Sequence, residues 1–178
     1  TDTDDNWDDF SLVPTLTPGA ANVCTDPIPV SCGTGCVDCA NATTCASCDA
    51  GYYLDSGACE PCAVGYFQDE QGQTECDACP AGTYADVTGL SACKPCAVGH
   101  FQTQTAQTDC DECPVGTYQD EEGQTECEDC AAGSYGPETG LDACLPCAVG
   151  TYQLQTQATE CAACAAGNAG IIQGLQML

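Results

Sequence analysis

Positive charge is almost missing from this chain. A single basic residue, Lys94, stands against 27 acidic ones in 178 residues, for a formal net charge of −26. Such a surface repels phosphate backbones and anionic lipid headgroups, which excludes nucleic-acid binding and disfavours membrane surfaces. The partners left open are divalent cations, basic surfaces, or copies of the chain itself with charge screened by salt. Large apolar side chains are scarce too: three Phe, one Trp and one Met. The 43% hydrophobic content is inflated by cysteine and alanine, so an ordinary packed core is excluded. No run approaches the roughly 18 apolar residues of a membrane span. No signal peptide is visible; Thr1 is expected to follow a processed leader, or the chain to be an excerpt of a longer protein.

What is present is cysteine, 20 of them. From Cys59 onward, C-x-x-C pairs begin at Cys59, Cys76, Cys93, Cys110, Cys127, Cys144 and Cys161, always 17 residues apart. A fixed period signals an array of small stacked units, and this cysteine content signals that covalent links replace the missing core. A disulfide closing a loop of about 15 residues is worth roughly 3 kcal/mol in the chain-entropy account. Persistent disulfides need an oxidising compartment, so the chain is expected to be extracellular, secreted or on a cell surface.

Six units align without gaps over residues 63–164: AVGYFQDEQGQTECDAC, PAGTYADVTGLSACKPC, AVGHFQTQTAQTDCDEC, PVGTYQDEEGQTECEDC, AAGSYGPETGLDACLPC and AVGTYQLQTQATECAAC. Units one and four, two and five, and three and six match better than neighbours do, which points to triplication. Gly65, Gly82, Gly99, Gly116, Gly133 and Gly150 sit where a tight turn with positive φ is expected. Two residues later comes an aromatic (Phe67, Tyr84, Phe101, Tyr118, Tyr135, Tyr152), the large side chain available to cover the disulfide. A second glycine (Gly72, Gly89, Gly123, Gly140) suits a hairpin turn, but Ala106 and Gln157 replace it in every third unit. Short strands around a turn are the regular structure expected, with little helix.

The flanks differ. Residues 1–23 form an acidic Pro/Thr arm without cysteine, whose anchors for docking are Trp7, Phe10, Leu12 and Val13. Residues 24–62 form an irregular Cys-rich head. Residues 165–178 stay in register through Gly167 and Gly174, yet Ala169 replaces the aromatic and Leu178 stands where a cysteine belongs. Ile171, Ile172 and Leu178 make this end apolar, a contact surface or a truncated repeat.

The unit C-x2-G-x-[YF]-x8-C-x2-C is similar to the A-type module of tumour necrosis factor receptor ectodomains, and resembles ephrin-receptor-like repeats of extracellular and protist surface proteins. The stretch CVDCANATTCASCDAGYYLDSGACEPC (36–62) resembles furin-like repeats. The A-type resemblance implies one bridge across each loop: Cys62–Cys76, Cys79–Cys93, Cys96–Cys110, Cys113–Cys127, Cys130–Cys144 and Cys147–Cys161. By extension Cys48–Cys59 closes the short unit and Cys39–Cys45 the loop before it, although sequence leaves other pairings open. Cys24, Cys32, Cys36 and Cys164 remain. Cys164 has no in-register partner, and is either free or bridged to the head of a second copy.

Other chemistries have poor material. Structural zinc is the first rival for paired C-x-x-C motifs, but the G-x-[YF] pattern and the acidity argue against it. Redox catalysis would use one or two such motifs on an α/β frame. His100 occupies an ordinary spacer position. Asp69 with Glu70, Asp120 with Glu121 and Glu122, and the arm's Asp2, Asp4, Asp5, Asn6, Asp8 and Asp9 offer at most weak calcium contacts. Asn41-Ala42-Thr43 is a glycosylation sequon. The expectation is therefore a small disulfide-rich repeat protein, an elongated rod of 17-residue loop modules with short β-hairpins. It is expected to have no enzyme activity, no cofactor, and no transmembrane segment. Its expected role is structural: an extracellular glycoprotein assembling head to tail into a surface filament. The alternative is a receptor, adhesin or antigen ectodomain acting as a binding module or spacer.

Overall fold

A computed structural model describes residues 32–41 and 43–165. Within them, sixteen short strands form eight two-stranded antiparallel hairpins, with no helix. In the head, β1 (Cys36–Asn41) pairs with β2 (Thr44–Cys48), and β3 (Tyr52–Asp55) with β4 (Ala58–Pro61). The array then repeats one hairpin per unit. β5 (Tyr66–Phe67) pairs with β6 (Asp77–Ala78), β7 (Thr83–Tyr84) with β8 (Lys94–Pro95), and β9 (His100–Phe101) with β10 (Asp111–Glu112). β11 (Thr117–Tyr118) pairs with β12 (Glu128–Asp129), β13 (Ser134–Tyr135) with β14 (Leu145–Pro146), and β15 (Thr151–Tyr152) with β16 (Ala162–Ala163).

Each array hairpin starts from a tight turn. The N–H of Tyr66 donates to Ala63 O (3.0 Å), and the same bond recurs from Thr83 to Pro80 and from Thr117 to Pro114. The residue before the donor is the first glycine of the unit, with φ near +80° at Gly65, Gly82 and Gly116. A type II turn requires positive φ at that position. The strand stops after two residues because its backbone then bonds the next unit rather than its own.

With each loop counted from its opening cysteine (62–76, 79–93, 96–110, 113–127), three backbone hydrogen bonds join each loop to the next. Between the first two loops, Gly65 N donates to Ala85 O (2.8 Å), Gln68 N to Leu90 O (3.2 Å), and Gly89 N back to Cys62 O (2.8 Å). The set recurs between the third and fourth loops as Gly99 N to Gln119 O, Gln102 N to Gln124 O, and Gly123 N to Cys96 O. Buried backbone groups must find partners, and in loops too short for a sheet the neighbouring loop supplies them.

Contact reaches one unit further. A side chain begun at Gly65 would collide with Ala106 O, at Gly82 with Gly123 O, at Gly99 with Gly140 O, and at Gly116 with Gln157 O. Unit n therefore receives the backbone carbonyl of unit n+2 against its first glycine. Repeat stacks ordinarily depend on nearest neighbours alone; here next-nearest units also touch.

The bridges across the array are Cys62–Cys76, Cys79–Cys93, Cys96–Cys110, Cys113–Cys127, Cys130–Cys144 and Cys147–Cys161, each with a sequence separation of 14. Cys48–Cys59 closes the short unit. The head differs from expectation: Cys39 bonds Cys32, and Cys45 bonds Cys36, so no Cys39–Cys45 bridge forms. Cys39 and Cys45 do lie opposite one another in the β1–β2 register. However, Cys39 is exposed while Cys45 is buried, and register shifts at Cys36/Asp38, Asp38/Cys39 and Cys39/Asn41 re-aim the side chains. The largest fully buried side chains of the described residues are all cysteines: Cys48, Cys62, Cys79, Cys96, Cys113 and Cys130. The core is a line of sulfur.

The second-turn positions hold positive φ at Gly72, Gly89, Gly123 and Gly140, and also at Ala106 and Gln157, both at +58°. An L-residue in that region costs about 1–2 kcal/mol relative to the right-handed form. Replacing Ala106→Gly is therefore expected to stabilise the oxidised protein by about 1 kcal/mol or less after the entropy of the new glycine. Gly99→Ala, which adds a collision with Gly140 O, is expected to destabilise it by about 2 kcal/mol or more. Denaturant melts with the disulfides intact would read both; equal and small effects at the two positions would contradict the close approach.

Candidate functional site

The buried polar side chains of the array are Gln68, Gln102, Gln119 and Thr117, and the candidate sites are the surfaces on which units meet and the cysteine head. Inside each of four units lies a glutamine that follows the aromatic. Gln68, Gln102 and Gln119 are 4–6% exposed, while the aromatics beside them are only half-buried. The amide braces its loop from within. Gln119 Nε2 donates to Glu126 O (2.8 Å), and Gln119 Oε1 accepts from Glu121 N (2.9 Å). Gln68 does the same with Glu75 O and Glu70 N, Gln102 with Asp109 O and Gln104 N, and Gln153 with Glu160 O and Gln155 N. Every buried side-chain polar atom among the described residues finds a partner.

Units two and five carry Ala85 and Gly136 in place of this brace. Unit two instead has the chain's one basic residue: Lys94 Nζ meets Asp86 Oδ1 at 2.7 Å and lies 5.9 Å from the Tyr84 ring centroid. The hydrogen bond from Lys94 lowers the Asp86 pKa, and Asp86 in turn raises that of Lys94. Both groups are solvent-exposed, so the pair contributes little to stability. Tyr118 Oη donates to Glu128 Oε2 (2.8 Å), which holds the phenol above its ordinary pKa. Gln follows the aromatic in four of six units, but glutamine is ordinarily a surface residue, so the pattern alone does not mark it as interior.

The head collects sulfur. Cys32 Sγ lies 2.9 Å from Cys36 Sγ, and Cys59 Sγ 3.2 Å from Cys45 Sγ, each contact joining two different disulfides. The triads Cys32/Cys36/Cys39 and Cys36/Cys45/Cys59 each fall within 4.8 Å, close enough to surround a metal ion. All five of these sulfurs are bonded to other sulfurs, whereas zinc is held by thiolates. The oxidised head thus offers no ligand set.

Asn41 is exposed at the tip of the β1–β2 hairpin. Its Oδ1 accepts hydrogen bonds from Thr43 N (2.9 Å) and Thr43 Oγ1 (3.2 Å), closing the sequon into a compact turn. Cys164 is a half-buried free thiol in the described residues. His100 lies in β9 with Nδ1 3.1 Å from Val98 O, and Asp69 and Glu70 are exposed, as is Asp120. Trp7, Phe10, Leu12, Val13, Cys24, Ile171, Ile172, Leu178 and the arm's carboxylates lie outside the described residues.

A family model described as "Tyrosine-protein kinase ephrin type A/B receptor-like" matches residues 51–92, 82–117, 103–140 and 133–174. The chain belongs to this ephrin-receptor-like family. Each match covers about two of the stacked loops, which is the extent of one complete inter-unit interface. Among curated proteins, "Sushi, von Willebrand factor type A, EGF and pentraxin domain-containing protein 1" of Rattus norvegicus and of Mus musculus are each 39% identical over 54 residues. That is 30% of this chain, which spans about 1% of either relative. Ephrin-receptor-like repeats closed by disulfides fit an extracellular location, and among the described residues no helix is long and apolar enough to cross a membrane.

Gln119→Ala is expected to strand Glu126 O and Glu121 N inside the loop at a cost of about 1–3 kcal/mol. Amide exchange at Glu121 should accelerate in the variant while the equivalent Glu70 amide of unit one keeps its protection. Unchanged protection at Glu121 would show that water replaces the brace without penalty.

Proposed function

We propose that this ephrin-receptor-like protein is structural: an extracellular glycoprotein whose stack of loops is a load-bearing segment of a surface filament, built by head-to-tail self-association. One observation carries the reading. The same three backbone bonds recur from loop to loop, with the first glycine of each of the first four units set against the carbonyl two units on. An interface that hands the chain forward by the same step each time is heterologous, and a heterologous contact whose rotation does not close generates an open filament. The material of the array suits extension rather than chemistry. Its interior is disulfide and its rim is carboxylate.

Assembly between copies would use the ends. The acidic arm with Trp7, Phe10, Leu12 and Val13, and the apolar C-terminal residues Ile171, Ile172 and Leu178, are the segments proposed to meet. A glycan on Asn41 at the hairpin tip would project from the head without burying polar surface.

Electron microscopy of the full chain secreted from a eukaryotic host tests the filament. Regular polymers are expected, and deletion of residues 1–20 should abolish them. Isolated particles from the full chain would favour a receptor or adhesin ectodomain acting as a binding module, and polymers of unchanged length from the deletion would remove the arm from the contact.

For the glycan, peptide-N-glycosidase should shift the mobility of the secreted protein and leave Asn41→Gln unaffected. A wild-type protein that does not shift would show that Asn41 is not glycosylated.

A further inference from the structure

The three head disulfides are not separate staples. They form a continuous path of sulfur from solvent to interior. Cys39 is exposed and bonded to Cys32. Cys32 Sγ is 2.9 Å from Cys36 Sγ, which is bonded to Cys45. Cys45 is 3% exposed, and its sulfur is 3.2 Å from Cys59 Sγ, which is bonded to fully buried Cys48. These two contacts link the three disulfides to one another.

Thiol–disulfide exchange proceeds by attack of a thiolate on one sulfur of a disulfide with departure of the other, and access decides which bond is attacked. We propose that the head is a thiol-exchange site that captures a thiol-bearing partner at Cys39 and relays the exchange inward to Cys48. The partner's thiolate bonds Cys39 Sγ and expels Cys32 as a thiolate. Cys32 attacks the adjacent Cys36, forming Cys32–Cys36 and expelling Cys45. Cys45 attacks Cys59, forming Cys45–Cys59 and expelling Cys48, which takes a proton. Three disulfides exist before and three after, so no oxidant or reductant is consumed. The bridge Cys45–Cys59 has a sequence separation of 14, the separation already closed six times in the array.

The relay stops at Cys48 for a physical reason. Its side chain is fully buried, out of reach of a dissolved thiol, and access decides which sulfur takes part in exchange. The leaving group is thereby separated from the partner held at Cys39, and simple reversal is slowed. Two sources present the required thiol chemistry: a small-molecule thiol, or the free Cys164 of a second copy. The second source rests on the proposed head-to-tail assembly; the relay itself does not.

The decisive variant needs no partner. Cys39→Ser leaves Cys32 as a thiol beside Cys36. Unfolding under acid quench, trapping of free thiols with N-ethylmaleimide in denaturant and peptide mapping of the oxidised full chain should then find Cys48 alkylated, with Cys32–Cys36 and Cys45–Cys59 bridges. Alkylation at Cys32 with Cys36–Cys45 and Cys48–Cys59 intact would overturn the relay. The six array bridges in the same map report whether the variant folded. If they are scrambled, the wild-type chain decides: glutathione treatment should place glutathione on Cys39 and free Cys48, and glutathione spread over array cysteines would reject the site. A mixture of isotopically labelled and unlabelled chains identifies the source. Cys39–Cys164 peptides joining the two populations, lost in Cys164→Ser, would assign the partner to a second copy. Their absence alongside glutathionylation at Cys39 would assign it to a small thiol and leave any filament non-covalent.

Discussion

Closure of each loop by a bond between cysteines fourteen residues apart is the constraint on which the rest of the molecule depends. A loop of this size has no apolar interior, and its hairpin is only two residues long on each side. Two-stranded hairpins are marginal in water even at greater length. The disulfide removes most of the freedom the open chain would have, and only then can a set of three weak backbone bonds hold one loop against the next. Order therefore passes from the covalent to the non-covalent level: the bridge shapes the loop, and the shaped loop presents donors and acceptors at the positions its neighbour needs.

The two kinds of glycine serve different levels of that hierarchy. The first glycine of each unit permits a turn with positive φ, and at Gly65, Gly82, Gly99 and Gly116 it also leaves room for a carbonyl arriving from two units away. At those four positions nothing larger than hydrogen fits. The second glycine meets only the first demand, and the structure accepts Ala106 and Gln157 in its place at the same backbone angle. Strain at these sites is affordable because the surrounding bonds determine the turn from both sides, with Ala106 N held by Cys79 O and Gln157 N by Cys130 O.

Polarity inside the array follows from the same scarcity of apolar residues. A loop with a sulfur core still has to satisfy the backbone groups on its inner wall, and the glutamine amide, carrying both donor and acceptor, does so at one position with one side chain. The head shows what happens when the grid is broken. Its cysteines are closer together in sequence, its hairpin carries register shifts, and three disulfides come into contact rather than standing one repeat apart.

The sequence by itself determined the period, the tight turn at the first glycine, the short hairpins without helix in the array and the extracellular type of the repeats. All of these follow from local rules, since spacing and residue type act within one loop. The pairing of Cys32, Cys36, Cys39 and Cys45 was not legible, because Cys39 and Cys45 are opposite in register yet face different environments, and only packing decides which face is inside. The buried role of Gln68, Gln102 and Gln119 was hidden for the same reason: an amide becomes an interior residue only once a loop has closed around it. The approach of unit n to unit n+2 is likewise a property of stacking, fixed by how far one closed loop advances the next and by nothing written within a single repeat.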